Sequence, residues 1–312
     1  MLDAELLLRR WRRPLVIGMG GGGDVVGALA TAELARRYDG ADPVVGGLTW
    51  ERRPIDPVPG PRRLSEVVAA QVLAPAVALA GAETRVRDRN MYFAESRMAQ
   101  FLGQPTVLID VNDGVGAVVD GLLTAAERLG CDAAVFIDVG GDVLAQGHEA
   151  GLRSPLCDAM MLAAAGTLGE RGFPVLAGIF GIGCDAELAP DEVLALLSAV
   201  AAEGGVCGVR GLSDVVASHL EGAMELVPTE ASAQAVRSFR GASGVVPIRG
   251  GARSVELTLL ASVTFYLDVE VTLRVTGRLA RAAAGANSLE EANEALNALG
   301  VRTELDLESE AA

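Results

Sequence analysis

The chain contains no lysine; all 26 basic residues are arginine. This excludes a lysine Schiff base, a Walker-type phosphate lysine and any other catalytic lysine. Lysine-poor, alanine- and arginine-rich usage also matches a GC-rich genome. Aromatic residues make up 4% of a chain that is 50% hydrophobic. The core is therefore built from Ala, Val, Leu and Gly, and a chain this long buries ample surface with them. The four cysteines (Cys131, Cys157, Cys184, Cys207) show no paired spacing. That argues against a zinc site or a disulfide framework and favours a reduced, cytoplasmic setting. Long apolar runs are missing too: Val67 to Ala82 is broken by Gln71, Pro75 and Gly81 and falls short of a membrane span. Met1 to Arg13 alternates charge with leucine and lacks a signal-peptide core. The net charge of −15 disfavours nonspecific binding to nucleic acid or to an anionic membrane.

Against these absences stand 38 glycines. Leu15 to Asp24 reads as a buried strand, a glycine turn (Gly20, Gly21, Gly22, Gly23) and an acid that opens a helix. Glycine there permits positive φ and close approach of a ligand, and the helix start supplies unpaired N–H groups. Further strands are expected at 42–50, 77–82, 106–110, 133–138 and 174–180. Helices are expected at 24–37, 90–102, 115–129, 154–170 and from 190. This alternation predicts right-handed crossovers and a parallel sheet buried on both faces. The fold class is α/β, a Rossmann-like three-layer α/β/α arrangement with a mostly parallel sheet and a C-terminal helical extension. One domain is expected over 1–312, its core at 14–205 and the extension at 206–312. Within the extension, 213–226 and 229–239 read as helices, and Ser288-x-x-Glu291 caps a last helix ending at Gly300. Residues 244–253 read as a glycine- and arginine-rich loop, 255–271 equally as strand or buried helix, and 301–310 as a short edge strand and acidic tail.

Several stretches are distinctive as strings. They are Gly18-Met-Gly-Gly-Gly-Gly-Asp24, Trp50-Glu51-Arg52 with Ile55-Asp56-Pro57 and Pro59-Gly60-Pro61-Arg62, Gly140-Gly141-Asp142-Val-Leu-Ala145 and Ser154-Pro155-Leu-Cys157-Asp158-Ala159. Together they resemble the archaeal and bacterial proteins grouped as domain of unknown function 1152 (DUF1152). The likeness covers roughly the first two thirds of the chain. It implies common ancestry and an α/β fold and brings no activity with it.

The chemistry has to be read from the residues. Open parallel sheets bind ligands beyond the carboxyl ends of their strands. On this reading the glycine loop, Trp50 to Arg53, Glu83, Asp110, Asp113, Asp138, Asp142 and Gly183-Cys184-Asp185 all fall there. Gly18-x-Gly20-x-x-Gly23 matches a dinucleotide fingerprint, with Glu51 on a ribose. Asp24 opposes that reading, because a carboxylate at the helix start caps N–H groups itself and repels a pyrophosphate. Asp138, Asp142 and Asp158 form a sharper cluster, since two glycines let the chain turn and the Ser154 helix presents Asp158 from its first turn. Grouped carboxylates hold a magnesium ion, grip an ammonium group, or divide into general acid and base. The plainer alternative is that they cap local turns. His148, in the polar loop beside them, is a candidate base or simply solvated. Arg52, Arg53, Arg62 and Arg63 flank a proline-rich loop and either clamp an anion or pair with surface acids. Arg249 and Arg253 are a second anion candidate. His219, mid-helix, reads as structural, and Cys157 and Cys184 as buried small hydrophobes.

The expected protein is a cytoplasmic small-molecule enzyme of the lyase, isomerase or hydrolase kind. Asp138, Asp142, Asp158 and His148 would be catalytic, and Trp50, Arg52, Asp110 and Arg62 would hold a substrate bearing amine and carboxylate. No metal ligand set is assigned, and the cofactor stays open between none, Mg2+ and a nucleotide. The alternatives are a nucleotide- or NAD-dependent oxidoreductase and a non-catalytic nucleotide or metabolite binder. Expected partners are a small molecule and further copies of the chain, with neither nucleic acid nor membrane.

Overall fold

Apolar runs between glycine turns make the strands of the computed structural model, which describes residues 2–53 and 55–311. In chain order they are β1 (Pro14–Gly18), β2 (Val44–Leu48), β3 (Val67–Ala74), β4 (Val77–Val86), β5 (Thr106–Ile109) and β6 (Ala133–Val139). β7 (Val175–Phe180), β8 (Val206–Gly211), β9 (Gly244–Ile248), β10 (Arg253–Leu257) and β11 (Val263–Leu267) follow. Nine of them form one sheet in the order β3-β4-β5-β2-β1-β6-β7-β11-β8, and β9 and β10 pair apart as an antiparallel hairpin. The central five, β5-β2-β1-β6-β7, are parallel. From β1 the chain winds outward through β2 and β5, then crosses back to β6 and β7 on the other side. The gap between the ends of β1 and β6 is thus a topological switch point, where sheets of this kind open a crevice.

The helices are α1 (Ala4–Arg10), α2 (Asp24–Leu34), α3 (Ala94–Leu102), α4 (Gly114–Leu129), α5 (Pro155–Glu170) and α6 (Pro190–Ala202). α7 (Asp214–Met224), α8 (Glu230–Phe239), α9 (Val269–Val275), α10 (Arg278–Ala283), α11 (Leu289–Asn297) and α12 (Glu304–Glu310) complete them. They cover both faces. α1, α2, α3, α7 and α8 share one core, while α4, α5, α6, α10 and α11 share the other. β1 feeds both through its period of two: Leu15 and Ile17 enter one core, Val16 the other, and all three are fully buried.

Three readings of the C-terminal third are corrected. It is not only a helical extension, because β8 and β11 complete the main sheet, with β11 antiparallel to both β7 and β8. The 244–253 loop is a hairpin, its strands joined by a turn in which Gly250 has φ of 64°, and 255–271 divides into the end of β10, a 3-10 turn, β11 and the start of α9. The expected edge strand at 301–310 is α12, because Thr303 and Asp306 form a capping box that starts a helix. In the first half, helix α3 begins at Ala94, since Tyr92 bridges back to Arg85. The 67–74 segment, broken by no turn, pairs with β4 as β3.

Candidate functional site

Three strand-to-helix connections converge at the switch point. The β1–α2 loop brings Asp24, the β6 end brings Asp138, the following 3-10 turn (Asp142–Leu144) brings Asp142, and the first turn of α5 brings Asp158. The loop after β7 adds Asp185 and Glu187. The carboxylates fall into two groups of three, Asp24–Asp138–Asp158 and Asp142–Asp185–Glu187. Within each group one oxygen from each residue lies within 4.8 Å of the others. Glycine makes this crowding possible. Gly140 has φ of 135°, and a Cβ there would come within 2.6 Å of both Asp185 oxygens. A Cβ on Gly20 would sit 2.6 Å from Asp24 Oδ2 and 3.6 Å from Asp158 Oδ1.

So many enclosed carboxylates raise one another's proton affinity. Burial, then Asp138, pushes Asp24 up to about 8. Burial pushes Asp138 up to about 7, although hydrogen bonding to Asp142 and to the N–H groups of Val143 and Gly141 works against it. Asp142, Asp158 and Asp185 are held well above the usual carboxylate range by burial first and by neighbouring acids second. Asp138 Oδ2 and Asp158 Oδ1 are buried and have no hydrogen-bond partner.

Arg52 faces the Asp158 side of this floor. Arg52 stacks 4.5 Å from the centre of the buried Trp50 ring and donates to the Gly20 carbonyl at 2.7 Å. Burial works against its charge, but Glu304, Cys157, Glu308 and Asp158 outweigh it and keep the guanidinium protonated. The C-terminal helix closes this side. Glu304 accepts the N–H groups of Leu156 and Cys157 at 2.9 Å each, so it caps α5 where Ser154 does not. Glu308 accepts from Trp50 Nε1 at 3.0 Å and from the Gly60 N–H at 2.9 Å. Glu187 also binds the start of α5, accepting the N–H groups of Arg153 and Ser154 and the Ser154 hydroxyl.

Other expected site residues have different work. Asp24 does not cap α2; its carboxylate turns back to the Gly20 N–H at 2.9 Å. The Gly22 N–H is also taken, by the Trp50 carbonyl at 3.0 Å, and Gly21, with φ of 81°, lies against the same carbonyl. Gly23 packs against Thr229. Glu51 accepts the Ala94 N–H and so caps α3; burial pushes its pKa up to about 7. It also borders a cavity of about 320 Å3 with Asn90, Tyr92 and Arg97. Arg62 does not reach out to a ligand, because it is buried against Asp56 and donates to the Val58 carbonyl. Asp110 is a loop anchor that accepts from Leu64 N at 2.8 Å and from the Asn112 backbone and side chain. Arg53 is tied to the Ala311 and Pro57 carbonyls, and Arg63 to the exposed Asp113. His148 is exposed on its loop and its ring makes no hydrogen bond among the described residues. Glu83 sits at the opposite edge of the sheet, because β4 runs antiparallel to β5 and passes Thr106 before reaching it. His219 lies 4.9 Å from the Phe101 ring and 3.7 Å from Glu33.

Sequence reasoning placed Asp185 at this edge without a role and passed over Glu187 and Glu304. Asp185 carried a usable signal: Gly181-Ile-Gly-Cys-Asp185 after β7 repeats the strand–glycine–acid pattern of Gly140-Gly141-Asp142 after β6. Glu304 carried none, since 147 residues separate it from Cys157.

A family model described as a protein of unknown function (DUF1152) matches residues 15–312. No curated protein and no solved structure matches the chain.

Proposed function

We propose that this chain, which belongs to the DUF1152 family, is an enzyme of small-molecule metabolism. Asp138, Asp142 and Asp158 act at its reacting centre, in chemistry of the lyase, isomerase or hydrolase kind. One observation carries the reading: Asp138 Oδ2 and Asp158 Oδ1 are buried at the switch point with nothing donating to them. An unpaired buried acceptor costs about 1–3 kcal/mol, and more when charged. Two such acceptors in one crevice are best accounted for by a ligand that brings donors or positive charge. Arg52 adds the complementary end, since its Nη1 is buried and makes no hydrogen bond, its ion-pair partner Glu308 standing 3.5 Å away. A small substrate bearing both amine and carboxylate satisfies both sets. The nicotinamide alternative loses its support, because the Gly20 and Gly22 N–H groups and Glu51 are committed within the chain.

The test is to incubate the full-length protein with pooled amino acids and their derivatives and follow each compound by mass spectrometry. Wild type should consume one of them, while Asp138→Asn and Asp158→Asn, shown to be folded by circular dichroism, should not. Equal turnover by either variant refutes the assignment. Retention of a compound without turnover favours the metabolite-binding alternative.

A further inference from the structure

We propose that Asp24, Asp138 and Asp158 form a binding site for one hard divalent cation of the magnesium or manganese class. The three residues come from separate elements, and three of their oxygens lie mutually within 4.8 Å. A cation with metal–oxygen bonds of about 2.0–2.6 Å spans ligands at that separation. The donors are all carboxylate oxygens, the set that suits magnesium, calcium or manganese rather than zinc or copper.

A cluster of acids alone would not carry this, because acids also collect where they cap turns. The independent observation is that two of the three residues each keep one buried oxygen to which nothing in the described residues donates. Asp138 and Asp158 are 1% and 2% exposed, and Asp138 Oδ2 and Asp158 Oδ1 have no hydrogen-bond partner. Asp24 and Asp158 also converge on one point. The position a Gly20 Cβ would occupy is 2.6 Å from Asp24 Oδ2 and 3.6 Å from Asp158 Oδ1. The absent side chain therefore lets both carboxylates come close to the Gly20 backbone. Asp24 Oδ2 already accepts the Gly20 N–H, which orients the carboxylate from the loop side as outer hydrogen bonds orient metal ligands elsewhere.

The neighbouring group shows the contrast. Glu187 gives both oxygens to Arg153 and Ser154 and fastens the start of α5. Asp185 Oδ1 accepts the Glu187 N–H at 3.2 Å. Two of that trio are thus committed to loop structure, and one cation is assigned, not two. The inference deepens the function proposed above, on which its catalytic meaning rests, by giving Asp138 Oδ2 and Asp158 Oδ1 to the cation in place of the substrate's amine, and binding is measured without turnover.

The experiment is titration of the metal-free full-length protein with MnCl2, followed by electron paramagnetic resonance of free Mn2+, with Mg2+ as competitor. One equivalent should bind saturably and be displaced by Mg2+. Asp158→Asn and Asp24→Asn, shown to be folded by circular dichroism, should each weaken binding at least tenfold, because each removes a carboxylate ligand. Gly20→Ala should weaken binding as well, by placing a methyl group beside both carboxylates. Asp185→Asn should retain the one equivalent. The proposal is overturned if Mn2+ does not bind saturably. It is equally overturned if Asp158→Asn binds as wild type does, or if Asp185→Asn loses binding while Asp158→Asn keeps it. Binding without any turnover would leave the cation site standing and remove the enzymatic reading, whereas turnover with no saturable Mn2+ binding would do the reverse.

Discussion

Replacing Glu95 by glutamine should change how stability responds to pH. Glu95 lies in the first turn of α3, fully buried, and neither of its carboxylate oxygens has a hydrogen-bond partner. The missing side chain of Gly47 in β2 makes room for it. Burial holds its pKa well above the ordinary 4.5, and the facing carboxyls of Glu51 and Asp24 push the same way. The folded state therefore binds this proton more tightly than the unfolded chain does. The resulting stability is fully present below about pH 4.5 and is lost as pH rises toward the folded value. One proton gives a slope of about 1.4 kcal/mol per pH unit. Glutamine carries no such proton, so the slope disappears, at a pH-independent cost of about 1–3 kcal/mol for the unpaired amide. Urea denaturation of both proteins between about pH 5.5 and about pH 7.5 measures this, and the other buried acids cancel because both proteins share them. The variant should gain on wild type by about 1.4 kcal/mol per unit. Parallel stability curves would show that Glu95 is ionised in the fold and would refute the reasoning.

Glu304→Ala leaves two N–H groups at the start of α5 without their acceptor and removes a partner of Arg52. Unfolding free energy should fall by about 3–5 kcal/mol, and a loss below about 1 kcal/mol in urea melts would show that α12 does not fasten this helix. Gly140→Ala combines a φ of 135° with a collision against Asp185. It should cost at least about 1–3 kcal/mol and lower the thermal midpoint; a neutral result would mean that the loop relaxes freely. His148→Ala, at an exposed position, should stay within about 0.5 kcal/mol of wild type and retain ligand and Mn2+ binding.

The alternation of apolar runs, glycine turns and helical periods was enough to determine the layered α/β core. Each of those signals is local, and right-handed crossover leaves few ways to join the pieces. The acids after β1, β6 and β7 were readable for the same reason, because parallel strands deliver their C-terminal ends to one edge. What the sequence left open depends on pairing between distant segments. Glu83 was assigned to the wrong edge because the direction of β4 is set by its partner β5 and by no residue of its own. Whether Arg62 clamps an anion or pairs with an acid stayed open, because Asp56 and the Val58 carbonyl reach it only once the proline-rich loop has folded back on itself. Tertiary structure alone decided that Asp24 joins Asp138 and Asp158, that Glu304 comes from the far end of the chain to cap α5, and that Asp138 Oδ2 and Asp158 Oδ1 are left unpaired. Hydrogen-bond satisfaction belongs to the whole fold, and a side chain's own identity cannot state it.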